Sequence, residues 1–239
     1  MSETTPRKVG ARAARNAVPG PGRPKDLAKR KAILEAAKDL FPRCGYDRIS
    51  MDAIAAEAGV SKLTVYSHFK DKNTLFAAAV KARCEEQLPS RAFAMPTASV
   101  PIASVLTTIA ERFHALACSA DAMEMYRTMA ARAPANDNLA QIFFDAGPKR
   151  TLDALEQLLR KAHRAGKLNV PDPRKSAEHF FVLVKGLAHM CALIGCAGLP
   201  QGDEAQAHIR SVVELFVRAH APAECPPLPA SKRARQRSS

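Results

Sequence analysis

The stretch from Ser50 to Lys72, S-M-D-A-I-A-A-E-A-G-V-S-K-L-T-V-Y-S-H-F-K-D-K, constrains the fold more than any other part of the chain. It holds two short helical patterns, each opened by a serine and separated by Gly59-Val60. A serine hydroxyl at a helix start accepts a hydrogen bond from a backbone N–H of the first turn. Glycine supplies the left-handed residue that ends a helix. Met51, Ile54, Ala55 and Ala58 share one face of the first pattern, and Val65 and Phe69 share one face of the second. Ala55, Ala56, Ala58 and Gly59 are small enough for two helices to cross closely. The spacing predicts a helix-turn-helix whose second helix turns Leu63, Thr64 and Ser67 outward. Such a face can enter a major groove and meet base edges. An ordinary helical hairpin with a solvated outer face has the same spacing, so the neighbouring residues must discriminate.

The rest of the chain also reads as helices, with no strand alternation and no internal repeat. Asp26 is an N-cap candidate for a first helix carrying Ile33, Ala36, Ala37, Leu40 and Phe41, ended by Gly45, with Pro42 expected to kink or shorten its last turn. A fourth helix opens at Asp71 and runs toward Leu88 through Leu75, Phe76, Ala79 and Val80. Pro89, Pro96 and Pro101 mark a boundary. Beyond it, helices are expected over Ile102–Cys118, Ala120–Ala133, Asn138–Arg164 (interrupted at Gly147-Pro148), Arg174–Ile194 and Asp203–His220. The division expected is a disordered basic arm (1–22), a DNA-binding domain (23–88), a helical regulatory domain (89–221) and a disordered basic tail (222–239).

The chain has 239 residues, 47% hydrophobic and 5% aromatic with no Trp, which suits an Ala- and Leu-rich helical protein. Its formal charge of +13 favours a polyanionic partner. No segment reads as long and apolar enough to span a membrane, and no apolar region follows the basic N-terminus, so a cytoplasmic location is expected. The six cysteines, Cys44, Cys84, Cys118, Cys191, Cys196 and Cys225, form no C-x-x-C pair. The seven histidines form no zinc-site spacing, and no nucleophile elbow, Walker loop or dinucleotide fingerprint is present. Neither an enzyme nor a metal or organic cofactor is expected, and His179 and His189 read as packing or surface residues.

Residues 33 to 80 resemble the DNA-binding domain of the TetR/AcrR family of bacterial transcription regulators. The resemblance runs through I-L-E-A-A-K-D-L-F at 33–41, Gly45-Tyr46, S-M-D-A-I-A-A-E-A-G-V-S-K at 50–62, T-V-Y-S-H-F at 64–69 and K-D-K-N-T-L-F at 70–76. The later part fits the family's ligand-binding and dimerisation domain by layout, and Ile142–Pro148 with the long helix after it resembles the AefR-type branch. The implied fold is all-α: a three-helix helix-turn-helix domain joined through a linking fourth helix to a larger helical domain.

The resemblance also implies roles. Ser50 caps the second helix and meets a phosphate. Lys62, Thr64 and Tyr66 touch DNA from the third helix, Tyr66 through a phosphate and Thr64 at a base edge or thymine methyl. His68 and Lys72 hold the DNA backbone, and Lys70 is either a further phosphate contact or a solvated lysine. Leu63 and Ser67 depart from the residues usual there. Upstream, Pro21–Lys25 resembles an AT-hook core, with Arg23 entering a minor groove, or is a flexible basic linker.

For the later domain, the implied function is a homodimeric repressor that leaves a palindromic operator when a small hydrophobic ligand binds. Phe113, His114, Met123, Tyr126, Met129, Phe143 and Phe144 are the candidate ligand residues. Each also suits an ordinary core. The helix over 174–194 is apolar nearly all round and must be covered on every face. Phe181, Val184, Met190, Val213, Phe216 and Val217 are expected at a dimer interface. The alternatives are an architectural DNA binder driven by its basic tails and a redox-sensing regulator using Cys191 and Cys196.

Overall fold

The first helix, α1 (Pro24–Cys44), buries Ile33, Ala37, Leu40 and Phe41 along one side. Pro42 sits in its last turn, and the helix nonetheless runs to Cys44. The proline forfeits one bond back to the preceding turn, and so close to the end it leaves little helix beyond it to be kinked. Gly45 (φ 81°) then takes the left-handed conformation expected of a stop. Helices α2 (Met51–Glu57), α3 (Lys62–His68) and α4 (Lys72–Gln87) follow as the sequence indicates. The computed structural model describes residues 24–97, 99–132 and 138–222. The basic arm with Arg23, the tail from Ala223 onward, and Cys225 lie outside the described residues.

After a 3-10 turn (Ser90–Phe93) come α5 (Ile102–Ala117), α6 (Ala120–Arg132), α7 (Leu139–Ala146), α8 (Pro148–Arg164), α9 (Pro173–Ile194) and α10 (Gly202–Ala219). Among the described residues there is no strand. The Gly147-Pro148 break separates α7 from α8. A side chain at 147 would meet Cys84 Sγ and Val80 at 3.1 Å, so this glycine lets the break approach α4 closely.

Two hydrophobic cores form. One gathers α5, α8, α9 and α10 around Leu106, Ile109, Leu155, Leu159, Phe180, Val184, Val213 and Phe216. The other gathers α1 to α4 around Ile33, Ile54, Val65, Phe69, Leu75 and Phe76, and it also takes in Met125, Met129 and Leu139 from α6 and α7. The α1–α4 unit that carries the helix-turn-helix, the expected reading head, is therefore packed directly against the later helices as well as linked to them through α4.

Helix α9 corrects two expectations. By length and composition it is apolar enough to cross a membrane, contrary to the sequence reading. It is nevertheless part of the protein's own core, where Phe180, Phe181 and Val184 are buried. It is also not one continuous helix. Gly186 interrupts it at φ 65°, ψ 178°, and His208 of α10 places Nε2 3.1 Å from the Leu183 carbonyl and 3.2 Å from that of Val184. The imidazole thus serves carbonyl groups released by the break.

Candidate nucleic-acid interface and effector cavity

The helix-turn-helix is fixed by side-chain caps. Ser50 Oγ accepts from the Ala53 N–H at 3.0 Å, Ser61 Oγ from the Thr64 N–H at 3.2 Å, and Asp71 Oδ1 from the Thr74 N–H at 2.7 Å. Between α2 and α3, Gly59 (φ 65°) makes the turn, and the Val60 N–H returns to the Ala55 carbonyl at 3.0 Å. Val65 and Phe69 are buried against α1, with the Arg30 guanidinium 4.9 Å from the Phe69 ring centre.

On the outer face of α3, Leu63 is 82% exposed and Tyr66 is 44% exposed. The hydroxyls beside Leu63 are engaged locally: Thr64 Oγ1 lies 2.9 Å from Ser61 Oγ, and Ser67 Oγ donates to the Thr64 carbonyl at 2.7 Å. Lys62 is exposed and reaches back to Asp52 of α2 (2.9 Å); that hydrogen bond and the carboxylate's charge hold its pKa up. Lys70 is exposed.

Two expected backbone contacts also have neighbours within the chain. The His68 side chain is only 10% exposed, with Nε2 3.0 Å from Asp26 Oδ1 at the start of α1. Turned inward, it braces α3 against α1. Lys72 is half-buried, its ammonium 4.2 Å from the Tyr46 ring centre and 3.5 Å from the Asp47 carbonyl. Burial pushes its pKa down, with Asp47 opposing the shift and Arg132 reinforcing it. Tyr46 in turn stacks on Phe41, stands edge-on to Phe76, and donates its hydroxyl to Asn73.

A cavity of about 310 Å³ lies where the reading head meets the later helices. Phe113, Tyr126, Phe143 and Phe144 line it as the sequence suggested. The other three candidates do not. His114 is buried with its ring 6.5 Å from that of His208, Met129 belongs to the core of the reading head, and Met123 lines a shallower cleft beside Arg127. Helical spacing alone cannot show which buried residue faces a void and which faces a neighbour.

The wall also includes residues that sequence reasoning missed: Phe41 of α1, Phe76, Val80, Arg83 and Cys84 of α4, and Lys185 of α9. For Lys185 a signal existed, since it is the one Asp, Glu, Lys or Arg in the run Phe180–Ile194. Burial shapes the chemistry of this wall. It drives the Tyr126 phenol up to about 12 and the Cys84 thiol up to about 11, and it pushes the Lys185 ammonium down. Arg83 is ion-paired with Asp121. Among the described residues no group of three or more His, Cys, Asp or Glu is placed to hold a metal ion.

Of the residues expected at a dimer interface, Phe181, Val184, Val213 and Phe216 are buried within the subunit, and Val217 packs against the same core. Met190 is exposed. Val182, Leu183, Leu187 (78% exposed) and Ile194 are also exposed on α9, on both sides of the Gly186 break, and Leu215 is exposed on α10. The correction is one of face. In a helix apolar all round, the sequence does not say which side its own subunit covers.

The fold and this site define a class: a capped helix-turn-helix reading head seated on a helical domain with an internal cavity. Residues 33–79 match the tetR family of bacterial regulatory proteins, and residues 104–222 match the C-terminal domain of the AefR-like transcriptional repressors. The chain belongs to the TetR family of transcriptional regulators.

Among solved structures it is similar to the flavonoid-responsive regulator FrrA, with 30% identity, a TM-score of 0.63, and coverage of 82% of this chain and 98% of that one. It is also similar to a TetR-family regulator from Mesorhizobium loti, with 25% identity, a TM-score of 0.69, and coverage of 83% of this chain and all of the other. The HTH-type regulator YdeS of Bacillus subtilis is 38% identical over 68 residues, which is 28% of this chain and 34% of YdeS. The chain thus spans about a quarter to a third of the length of the curated relatives it matches. These relatives are regulators and not enzymes.

Proposed function

We propose that this protein is a homodimeric, cytoplasmic repressor that binds a palindromic operator through α3 and releases it when a small, mostly apolar molecule fills the cavity. One observation carries the ligand part. The cavity wall includes Phe41 and Phe76, which also belong to the core of the reading head. A molecule seated there touches the DNA-binding and regulatory helices at once. If it fits one arrangement of the two better than the other, it shifts the population accordingly. The relative FrrA is named as flavonoid-responsive, which agrees with the aromatic lining here.

The dimer reading rests on the exposed Val182, Leu183, Leu187, Met190 and Ile194 of α9. Several large apolar side chains exposed on one helix suit a partner surface. A two-fold pair presents its recognition helices about 34–36 Å apart, one DNA turn, which selects a palindrome. Ser50, Lys62, Leu63, Thr64, Tyr66, Ser67, Lys70 and Lys72 surround the DNA-facing side in this reading. The redox alternative rests on the proximity of Cys191 and Cys196 alone, where Cys196 Sγ donates to the Cys191 carbonyl at 3.4 Å.

The test is to fill the cavity. Ala122→Phe should keep binding to an operator selected in vitro while losing release by any molecule found to displace the wild-type protein. A variant that still responds fully would place the effector elsewhere. Sedimentation of the wild type at micromolar concentration should return a dimer, and a monomer would sink the dimeric reading.

A further inference from the structure

The charged side chains around the cavity are nearly all committed to each other. Lys38 is paired with Glu35 at 2.6 Å and Glu86 at 2.5 Å. Arg83 is paired with Asp121. Glu178 is paired with Lys175 at 2.7 Å and Arg174 at 3.5 Å. Lys185 is the exception. Half-buried in the wall, it has no carboxylate within ion-pair distance among the described residues, and its nearest aromatic company is the Tyr126 ring, 5.8 Å from Nζ. Taking an ammonium group out of water is unfavourable unless an anion meets it. Burial already lowers its affinity for a proton, as expected of a cation without a counter-ion.

We infer that the ligand of this cavity is an amphipathic monocarboxylic acid, its apolar body against Phe113, Phe143 and Phe144 and its carboxylate on Lys185. The inference rests on reading the cavity as the effector site. A single negative charge follows from the neighbours: with Arg83 and Lys38 already paired, a dianion such as a phosphate monoester would find one free cation in the wall among the described residues and bury its second charge unmatched. The apolar remainder of the wall leaves the body of the ligand unspecified between aliphatic and aryl. Lys185 directly precedes the Gly186 break, and the exposed Leu187 and Met190 follow it. An anion seated on this lysine therefore acts on the helix that carries the proposed dimer surface.

The experiment is calorimetric titration of the full chain with two matched pairs, octanoate against octanol and hydrocinnamate against hydrocinnamyl alcohol. At least one acid should bind wild type about tenfold or more tighter than its alcohol, as for a charge-assisted contact. Lys185→Met should weaken that acid by about the same factor and leave the alcohol as tight or tighter. Lys185→Gln, which keeps a polar head, should behave like Met, and thermal unfolding shows that each variant folds. Acid and alcohol binding wild type equally, or an acid unaffected by both substitutions, overturns the carboxylate assignment and leaves the cavity a ligand site. Failure of all four probes to bind overturns the assignment together with the cavity reading beneath it.

Discussion

Arg132, in the last turn of α6, donates to the carboxylate of Asp47, in the loop that leads from α1 into the helix-turn-helix. The two residues stand 85 positions apart, and their contact ties the regulatory helices to the entrance of the reading head. An exposed pair of this kind contributes about 1 kcal/mol or less to stability. Its removal should be felt as loosened orientation more than as unfolding. Arg132→Ala should leave the midpoint of thermal unfolding nearly unchanged, speed amide exchange over residues 47–53, and weaken operator binding several-fold. Unchanged exchange there would show that the contact positions nothing.

Leu63 predicts a separation of stability from specificity. At 82% exposure it contributes little to folding, so Leu63→Ala should alter stability by about 0.5 kcal/mol or less. The same change should redraw the sequence preference in an in vitro selection. Lys72→Ala should instead weaken all sites alike and lower the salt dependence of binding by about one unit. A Leu63 variant that selects the wild-type sequence would remove this residue from the reading surface.

Gly186 is predicted to tolerate no side chain. Its backbone is left-handed (φ 65°), and a Cβ there would stand 3.0 Å from His208 Cε1. Gly186→Ala should cost about 1–3 kcal/mol in denaturant unfolding. Adding His208→Ala relieves the clash but not the backbone strain, and it leaves the Leu183 and Val184 carbonyls without the imidazole. The double variant should therefore not regain wild-type stability, and full recovery would contradict the structure.

Acid should destabilise the protein well before its carboxylates protonate. His114 and His189 have lowered pKa values, first because they are buried, and then because His208 lies near the former and Lys185 near the latter. A group whose folded pKa is depressed binds more protons when unfolded. Its contribution is complete above the unfolded value of about 6.5 and is lost as pH falls from there toward the folded value. The carboxylates with lowered values, Asp71, Glu85, Asp153 and Glu178, act in a separate window below about pH 4.5. Thermal midpoints should therefore drop between pH 7 and 5, and His114→Gln with His189→Gln should flatten that drop. An equal slope in the double variant would assign it to other groups.

The reading head was legible in the sequence because its determinants are local. Ser50, Ser61 and Asp71 each cap the helix they precede, Gly59 turns the chain, and Val65 and Phe69 sit four apart on one face. The break at Gly147-Pro148 was legible for the same reason. The cavity was legible only in part, because α1 and α4 reach its wall through tertiary packing that no local period records. Met129 joined the wrong set because a methionine packs equally well against a domain core and a ligand. His68 resembled a DNA contact by position, yet its side chain is turned inward, with Nε2 3.0 Å from Asp26 Oδ1. Phe181 and Val184 were misplaced because the apolar stripe of α9 covers its whole circumference and has no phase, while Val213 and Phe216 lie on the one apolar face of α10, which its own subunit's core takes.

The double membership of Phe41 and Phe76, in the reading head's core and in the cavity wall, limits how this protein can evolve. Reshaping that end of the cavity for a new effector also repacks the domain that recognises the operator, so most substitutions there would be lost to selection for folding. The opposite end is freer, since Phe144 is partly solvent-facing and belongs to neither core. Divergence in effector preference among descendants of this chain should accumulate at that end, while the end against the reading head stays constant.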